Sequence, residues 1–421
     1  MTTDARTDRI DPVTSERLSV ARVLCILGMI WVHVPGAATD GVGRALEASD
    51  PAGTLQAFLV EAMGRSSAAL LSVVSGWLCA RTLLGGRGPH ALIRARARTV
   101  LAPMLFWSLA TVAVYALVSL ARPTFLTVSG PIDAQAVRLW IDSVLFLSSA
   151  PSGPTMHLAF LRDLFVCACL APALLWALRR QPAALLVGLG ALYLGDLESV
   201  VVLRPLVLFA FAVGMWLALA RVPTDAADRY LGLWVALTCV AALAVMLANG
   251  GAFGALEERL DPLGIDLRES VLYPVSRLFG SLAAWTLTAR LAGSATGRAL
   301  AAQMPWLFTT YCSHFLVLGV LWAGLLEPLG LRAASPAFTA WFLLAPLVAL
   351  LVGRAIVRLV LAWWPSGAAA LGLRSSRRRG GPGPGPGPGL GPDPNRRGHD
   401  ATRTSAVLGR DGEPTPAHAP R

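Results

Sequence analysis

The sequence predicts an all-α fold: a polytopic integral membrane protein of about ten transmembrane helices with both termini in the cytoplasm. Three observations carry that prediction. Hydrophobic residues make up 55% of the 421 and charged residues only 14%, with a mean hydropathy of +0.59, well outside the usage of a soluble domain. The apolar residues gather in runs of about 17–25, the length a helix needs to cross the hydrocarbon core. The arginines, in a chain without lysine, concentrate in alternate short loops, the asymmetry that orients membrane helices.

After a cytoplasmic N-terminal segment over residues 1–17, the first span is predicted at 18–37. A cleavable signal peptide competes for this stretch, but the leader is long and of mixed charge and no A-x-A pattern follows, which favours a retained helix. The second span falls at 55–79 and the third at 100–121. Between them stand Arg81, Arg87, Arg94, Arg96 and Arg98 without an acid, so this loop is expected in the cytoplasm. The stretch 136–147 is apolar but carries Arg138 and Asp142, which suits a short interfacial helix in an external loop. Spans four to seven follow at 157–178, 183–197, 203–220 and 230–249, the fifth being short. The segment 250–270 holds Glu257, Glu258, Asp261, Asp266 and Glu269 against Arg259 and Arg268, and is expected outside. Spans at 270–290, 304–326 and 337–362 complete a transmembrane domain over 18–365. Arg179 with Arg180, Arg221 with Arg229, and Arg290 with Arg298 all fall on the inner side. Residues 366–421 contain GGPGPGPGPGLGPDPN and an arginine-dotted end that cannot pack a core, so a disordered cytoplasmic tail is expected. Its leading arginines, Arg374 and Arg377 to Arg379, suit contact with anionic membrane lipids.

Net charge of +11 raises the question of nucleic acid, but the distribution of the arginines is that of membrane topology, and no nucleic-acid partner is expected. Cys25, Cys79, Cys167, Cys169, Cys239 and Cys312 lie in apolar segments without CxxC or Cys/His ligand spacing. They read as core residues, with neither a disulfide framework nor a metal site.

Ionisable residues inside lipid are expensive and therefore informative. Arg22 and His33 share the run Leu18–Val34; eleven residues turn a helix by about 1100° and advance it about 16 Å, so both side chains lie on one face, one toward each leaflet. A cation at one end of that face and a titratable base at the other suit an extended, phosphate-bearing cosubstrate. The competing reading is that Arg22 snorkels to headgroups while His33 bonds a neighbouring helix. Glu61 with Arg65, His157, Arg162 with Asp163, Arg277 and His314 are placed between the midplane and the external face, Arg22 with the Arg94/Arg96/Arg98 group on the cytoplasmic side. This distribution predicts a polar cavity opening outward and a basic inner mouth. For the two Arg/acid pairs, simple self-neutralisation is the alternative.

Arg22-x10-His33, LLSVVSGW (Leu70 to Trp77), the basic run ending at Arg98-TVLA-Pro103, HLAFLRDLFV (His157 to Val166) and YCSHFLVL (Tyr311 to Leu318) together resemble acyltransferase family 3, the membrane O-acyltransferases acting on carbohydrates and related hydroxyl acceptors. The order and spacing match along nearly the whole membrane domain, although no single motif is specific.

The resemblance implies transfer of an acyl group, commonly acetyl from acetyl-CoA, to a hydroxyl of a glycan, a glycosylated product or a secondary metabolite. Acyl-CoA then serves as cosubstrate rather than as a permanently bound cofactor. Hydroxyl attack on a thioester needs a base, and a neutral imidazole is suited to it at neutral pH; His33 is the candidate. Arg22, Arg94, Arg96 and Arg98 would engage the coenzyme A phosphates, and His314, Arg162 or Asp163 would polarise the carbonyl or position the acceptor. An acyl-enzyme through Cys312 or Cys25 is disfavoured, because residues 312 and 314 point to different helix faces and a buried thiol is usually inert.

Three positions depart from the family pattern: Ser19, where an acid is usual, Ser72, where a Phe-Phe pair precedes the SG, and Ala159, where a Trp is usual. They bear on substrate identity and leave an inactive homologue open. Two rival classes share the scaffold, a small-molecule or lipid transporter and a non-catalytic scaffold protein. Against the transporter stands the lack of an evident internal repeat.

Overall fold

Helices are the regular structure that the computed structural model shows among the described residues, which are 10–35, 51–121, 141–142, 144–146, 155–195, 202, 204–332 and 335–364. The expected interfacial helix at 136–147 lies mostly outside them, and the tail at 366–421 and the first nine residues lie wholly outside. The described residues belong to one compact unit, Met1–Ser375.

In chain order the helices are α1 Pro12–Val32, α2 Pro51–Leu84, α3 Pro89–Val118 and α4 Met156–Arg180, α5 Pro182–Leu194, α6 Pro205–Leu219, α7 Asp228–Asn249, α8 Gly254–Leu260, α9 Tyr273–Leu291, α10 Ala295–Ala301, and α11 Met304–Leu326 and α12 Pro336–Trp363. Each of the ten predicted spans is thus helical. Six helices, α2, α3, α4, α7, α11 and α12, are long and apolar enough to cross a membrane unaided. The other four are marginal for physical reasons: α5 and α6 have only 13 and 15 residues, α1 carries Glu16, Arg17 and Arg22, and α9 carries Arg277 and Arg290.

Local signals set several helix ends. Asp11 caps α1 by accepting from the Thr14 N–H at 2.8 Å, and the bonds from Thr14 hold its carboxyl below the usual carboxylate range. Ser294 caps α10 and Ser335 caps α12 in the same way. Proline opens α1, α5, α6 and α12, where its missing N–H costs nothing. Among the membrane helices with a π-helical turn are α2, at Val60–Gly64, and α3, at Ala97–Leu101. These turns carry Glu61 and Arg98, and such insertions re-aim side chains within a continuous helix.

Packing fixes the relative directions. Gly28 of α1 faces Met63 and Ser67 while Gly64 faces Val32, so α1 and α2 run antiparallel. The N–H of Gly293, just before α10 and α11, reaches Glu16 at 3.1 Å, and the far end of α1 meets α11 at His314; α11 is therefore parallel to α1. Trp322 packs on Phe338 at one end of the α11–α12 pair and Arg354 over Trp306 at the other, which makes α12 antiparallel. The start of α3 lies at the Glu16 end, where Arg96 contacts Cys79 of α2. The start of α4 lies at the His33 end.

The tightest crossing joins α2 and α6. A Cβ on Gly76 would overlap the carbonyl oxygen of Phe211, and one on Gly214 that of Val73. Two opposed glycines let the backbones touch, the small-residue packing that substitutes for a hydrophobic driving force in lipid. Phe211, Phe338, Phe342, Ile30 and Leu158 are fully buried around the bundle centre. Cys239, expected in the core, instead faces outward.

Candidate active site

Three histidines from three helices meet at one place. His33 is the C-cap of α1, its N–H bonded to the Ile30 carbonyl. His157 stands in the opening turn of α4, and His314 is near the middle of α11. Ring centroids are 5.4 Å apart for His33 and His314, 6.1 Å for His33 and His157 and 4.8 Å for His157 and His314. Phe315 stacks on His157 at 5.3 Å and meets His33 edge-on at 5.7 Å. Tyr311, His314 and Phe315 fall at i, i+3 and i+4, so one face of α11 supplies much of this wall.

Main-chain carbonyls determine which nitrogen of each inner histidine carries the proton. His157 Nε2 lies 3.1 Å from the Cys312 carbonyl and His314 Nδ1 lies 2.6 Å from the Tyr311 carbonyl. A carbonyl only accepts, so both nitrogens donate, and in neutral rings His157 Nδ1 and His314 Nε2 are left as lone-pair acceptors. Both atoms are buried and meet no hydrogen-bond partner among the described residues. The Tyr311 hydroxyl donates to the His157 carbonyl at 2.5 Å, which fixes α4 against α11. An unpartnered polar atom in a protein interior costs about 1–3 kcal/mol, so two such atoms in adjacent rings mark a place prepared for a donor.

A cationic framework borders the cluster. Arg204, directly before α6, donates its backbone N–H to Asp163 at 3.2 Å and its guanidinium to the Met156 carbonyl, next to His157, at 3.3 Å. Asp163, fully buried, also binds Arg162 at 3.0 Å. The predicted pair Arg162 and Asp163 thus ties α4 to the start of α6. Glu61 and Arg65 stand 2.9 Å apart, out of line for a hydrogen bond, and Arg65 and Arg277 both lie over the Tyr273 ring.

The predicted phosphate-binding arginines lie apart from the histidines. The α1–α2 register set by Gly28 and Gly64 puts half-buried Arg22 about level with Ser72 of α2. Arg96 donates to Cys79 Sγ at 3.3 Å, about two turns or 10 Å further toward the Glu16 end. Arg94 and Arg98 are exposed. The structure therefore brings His33 and His314 together and leaves Arg22, Arg94, Arg96 and Arg98 toward the other end of the bundle.

Sequence reasoning gave no role to His157, Tyr311 or Arg204. The histidine and tyrosine stood in the quoted motifs, and the predicted depth of His157 matched that of His33; what was missing was the adjacency of α1, α4 and α11. Arg17 was also missed. It is buried, pairs with Asp228 through two 2.9 Å bonds and lies over the Trp285 ring at 4.5 Å.

The three imidazoles thus meet at one end of a bundle of apolar helices, with the arginines of α1 and α3 toward the other. The chain matches the acyltransferase domain family, Acyl_transf_3, over residues 15–358, and it belongs to that family. It is an acyltransferase and a multi-pass membrane protein. It is also 26% identical to the succinoglycan biosynthesis protein ExoH of Rhizobium meliloti (strain 1021) over 371 residues, covering 88% of this chain and 95% of that protein. No solved structure matches the chain.

Proposed function

We propose that the protein transfers an acyl group, commonly acetyl, from cytosolic acyl-CoA to a hydroxyl of a glycan or glycosylated acceptor on the far side of the membrane. The observation that carries this reading is the histidine cluster with two tautomers set by main-chain carbonyls and two buried lone pairs without a donor. Sugar hydroxyls are donors that such lone pairs accept. The similarity to a succinoglycan biosynthesis protein favours a carbohydrate acceptor.

His33 acts as the base. As the acceptor oxygen bonds to the thioester carbonyl carbon, its proton passes to the imidazole; when the C–S bond breaks, the imidazolium returns that proton to the leaving thiolate. The products are the ester and free coenzyme A. His157 Nδ1 and His314 Nε2 hold the reacting hydroxyl and its neighbours, and the field of Arg204 favours the negative charge that develops on the carbonyl oxygen. Arg22, about 16 Å below His33 along α1, binds the phosphates together with Arg94, Arg96 and Arg98, which lie further toward the cytoplasmic end.

One observation favours a second assignment of the base. His314 has its Nδ1 anchored to a carbonyl and its Nε2 open, the arrangement of a base oriented by a third group. Thioester turnover by His33→Ala and His314→Ala distinguishes the two: the base variant loses turnover, whereas the positioning variant keeps slow hydrolysis and loses transfer to the acceptor.

A further inference from the structure

The face of α3 that turns inward carries polar groups with nothing to bind. Trp107, Ser108 and Thr111 are 5%, 0% and 0% exposed, and Trp107 Nε1, Ser108 Oγ and Thr111 Oγ1 meet no hydrogen-bond partner among the described residues. Leu109 and Leu117 on the opposite face are exposed to lipid. Serine and threonine in membrane helices ordinarily bond the carbonyl four residues back, and Ser67, Ser72, Thr82, Thr238 and Thr310 do so here. Ser108 and Thr111 do not.

Their depth is fixed independently. α3 packs on α11, and the two helices run in the same direction, from the Glu16 end to the His33 end. A Cβ on Gly319 of α11 would meet the Tyr115 hydroxyl, and a tyrosine ring leans back toward its helix N-terminus. That register puts Ser108 within about one turn of the level of His314. Ser313 Oγ, beside His314, is likewise buried and unpartnered. The same continuous helix carries Arg98 ten residues earlier, about 15 Å away. An extended chain of twelve single bonds, the separation of diphosphate and sulfur in coenzyme A, spans about the same length.

Resting on the acyl-CoA donor reading above, we propose that Trp107, Ser108 and Thr111 form the binding wall for the thioester end of the donor. Ser108 and Thr111 donate to the acyl carbonyl oxygen and the Trp107 indole N–H, on the same face, to the nearest amide of the arm. Held so, the carbonyl carbon faces the histidines, and the two hydroxyls lie where charge accumulates as the acceptor adds.

The test uses the full chain in detergent with Ser108→Ala, Thr111→Val and Trp107→Phe, which remove a polar group and little volume. Binding is measured for acetyl-CoA and for adenosine 3′,5′-bisphosphate, which lacks the arm, together with acetyl-CoA thioester turnover and thermal unfolding without ligand. The expected result is an unfolding midpoint unchanged or raised, unaltered affinity for the bisphosphate, and thioester turnover reduced at least tenfold in the hydroxyl variants. Variants with wild-type acetyl-CoA affinity and turnover would overturn the proposal, as would equal loss of both ligands with a lowered midpoint. Wild-type protein that binds neither ligand would sink the donor reading itself, an outcome distinct from binding that the variants leave untouched.

Discussion

At the scale of single residues, chemistry is assigned by which lone pairs remain after the scaffold has taken its hydrogen bonds. His157 and His314 each spend one nitrogen on a carbonyl, so His157→Gln, which keeps a donor for Cys312, is expected to fold normally and to lose transfer at least tenfold in an acceptor assay. Arg17 shows the opposite use of a charge, wholly consumed by Asp228, Thr288 and Trp285. Arg17→Ala should cost roughly 2–3 kcal/mol of stability in detergent, less than a fully buried pair because Asp228 is partly exposed. A double variant with Asp228→Ala should recover part of the loss. His33, His314 and Arg22 stood out in the sequence because an ionisable group inside an apolar run is conspicuous. Arg17 was not, because its meaning lies in a carboxylate 211 positions away, and Arg204 acquires its role only through Asp163, 41 positions distant.

At the scale of elements, each hydrophobic run read as a span fell on a helix, although α1 and α3 begin well before the predicted bounds and only six helices are long and apolar enough to cross a membrane. The runs did not reveal the π-helical turns at Val60–Gly64 and Ala97–Leu101, which depend on tertiary packing and carry no compositional mark. Ser75-Gly76-Trp77 was legible as a motif but not its purpose: Gly76 is where α2 touches the backbone of α6. Gly76→Ala should therefore destabilise the bundle by about 1–3 kcal/mol, measured by thermal unfolding in detergent. Gly188→Ala, with open space around its Cβ, should leave the midpoint within error and serves as the control.

At the scale of the whole molecule, the proposed function rests on polarity between two ends. The arginines of α1 and α3 lie toward the Glu16 end and the histidines of α1, α4 and α11 toward the other, so in the proposed reaction donor and acceptor would arrive from opposite sides without the larger cosubstrate crossing. From the arginine asymmetry the Glu16 end is expected in the cytoplasm. Cysteines placed at Arg94 and at Glu258, in a background without native cysteine, should accordingly label with impermeant reagent from the cytoplasmic and external faces respectively. Labelling of both from one side would contradict the predicted topology. The acceptor was not legible at any scale: its recognition was expected in external loops, whose residues carry no code that names a ligand.

Acetyl-CoA binding and slow thioester hydrolysis by purified wild type, Arg22→Ala and His33→Ala test the division of labour most directly. Saturable wild-type binding, weakened about tenfold or more by Arg22→Ala, with hydrolysis removed by His33→Ala at undiminished binding, is the expected result. Full turnover by His33→Ala, or wild-type protein that binds no acetyl-CoA, would contradict it.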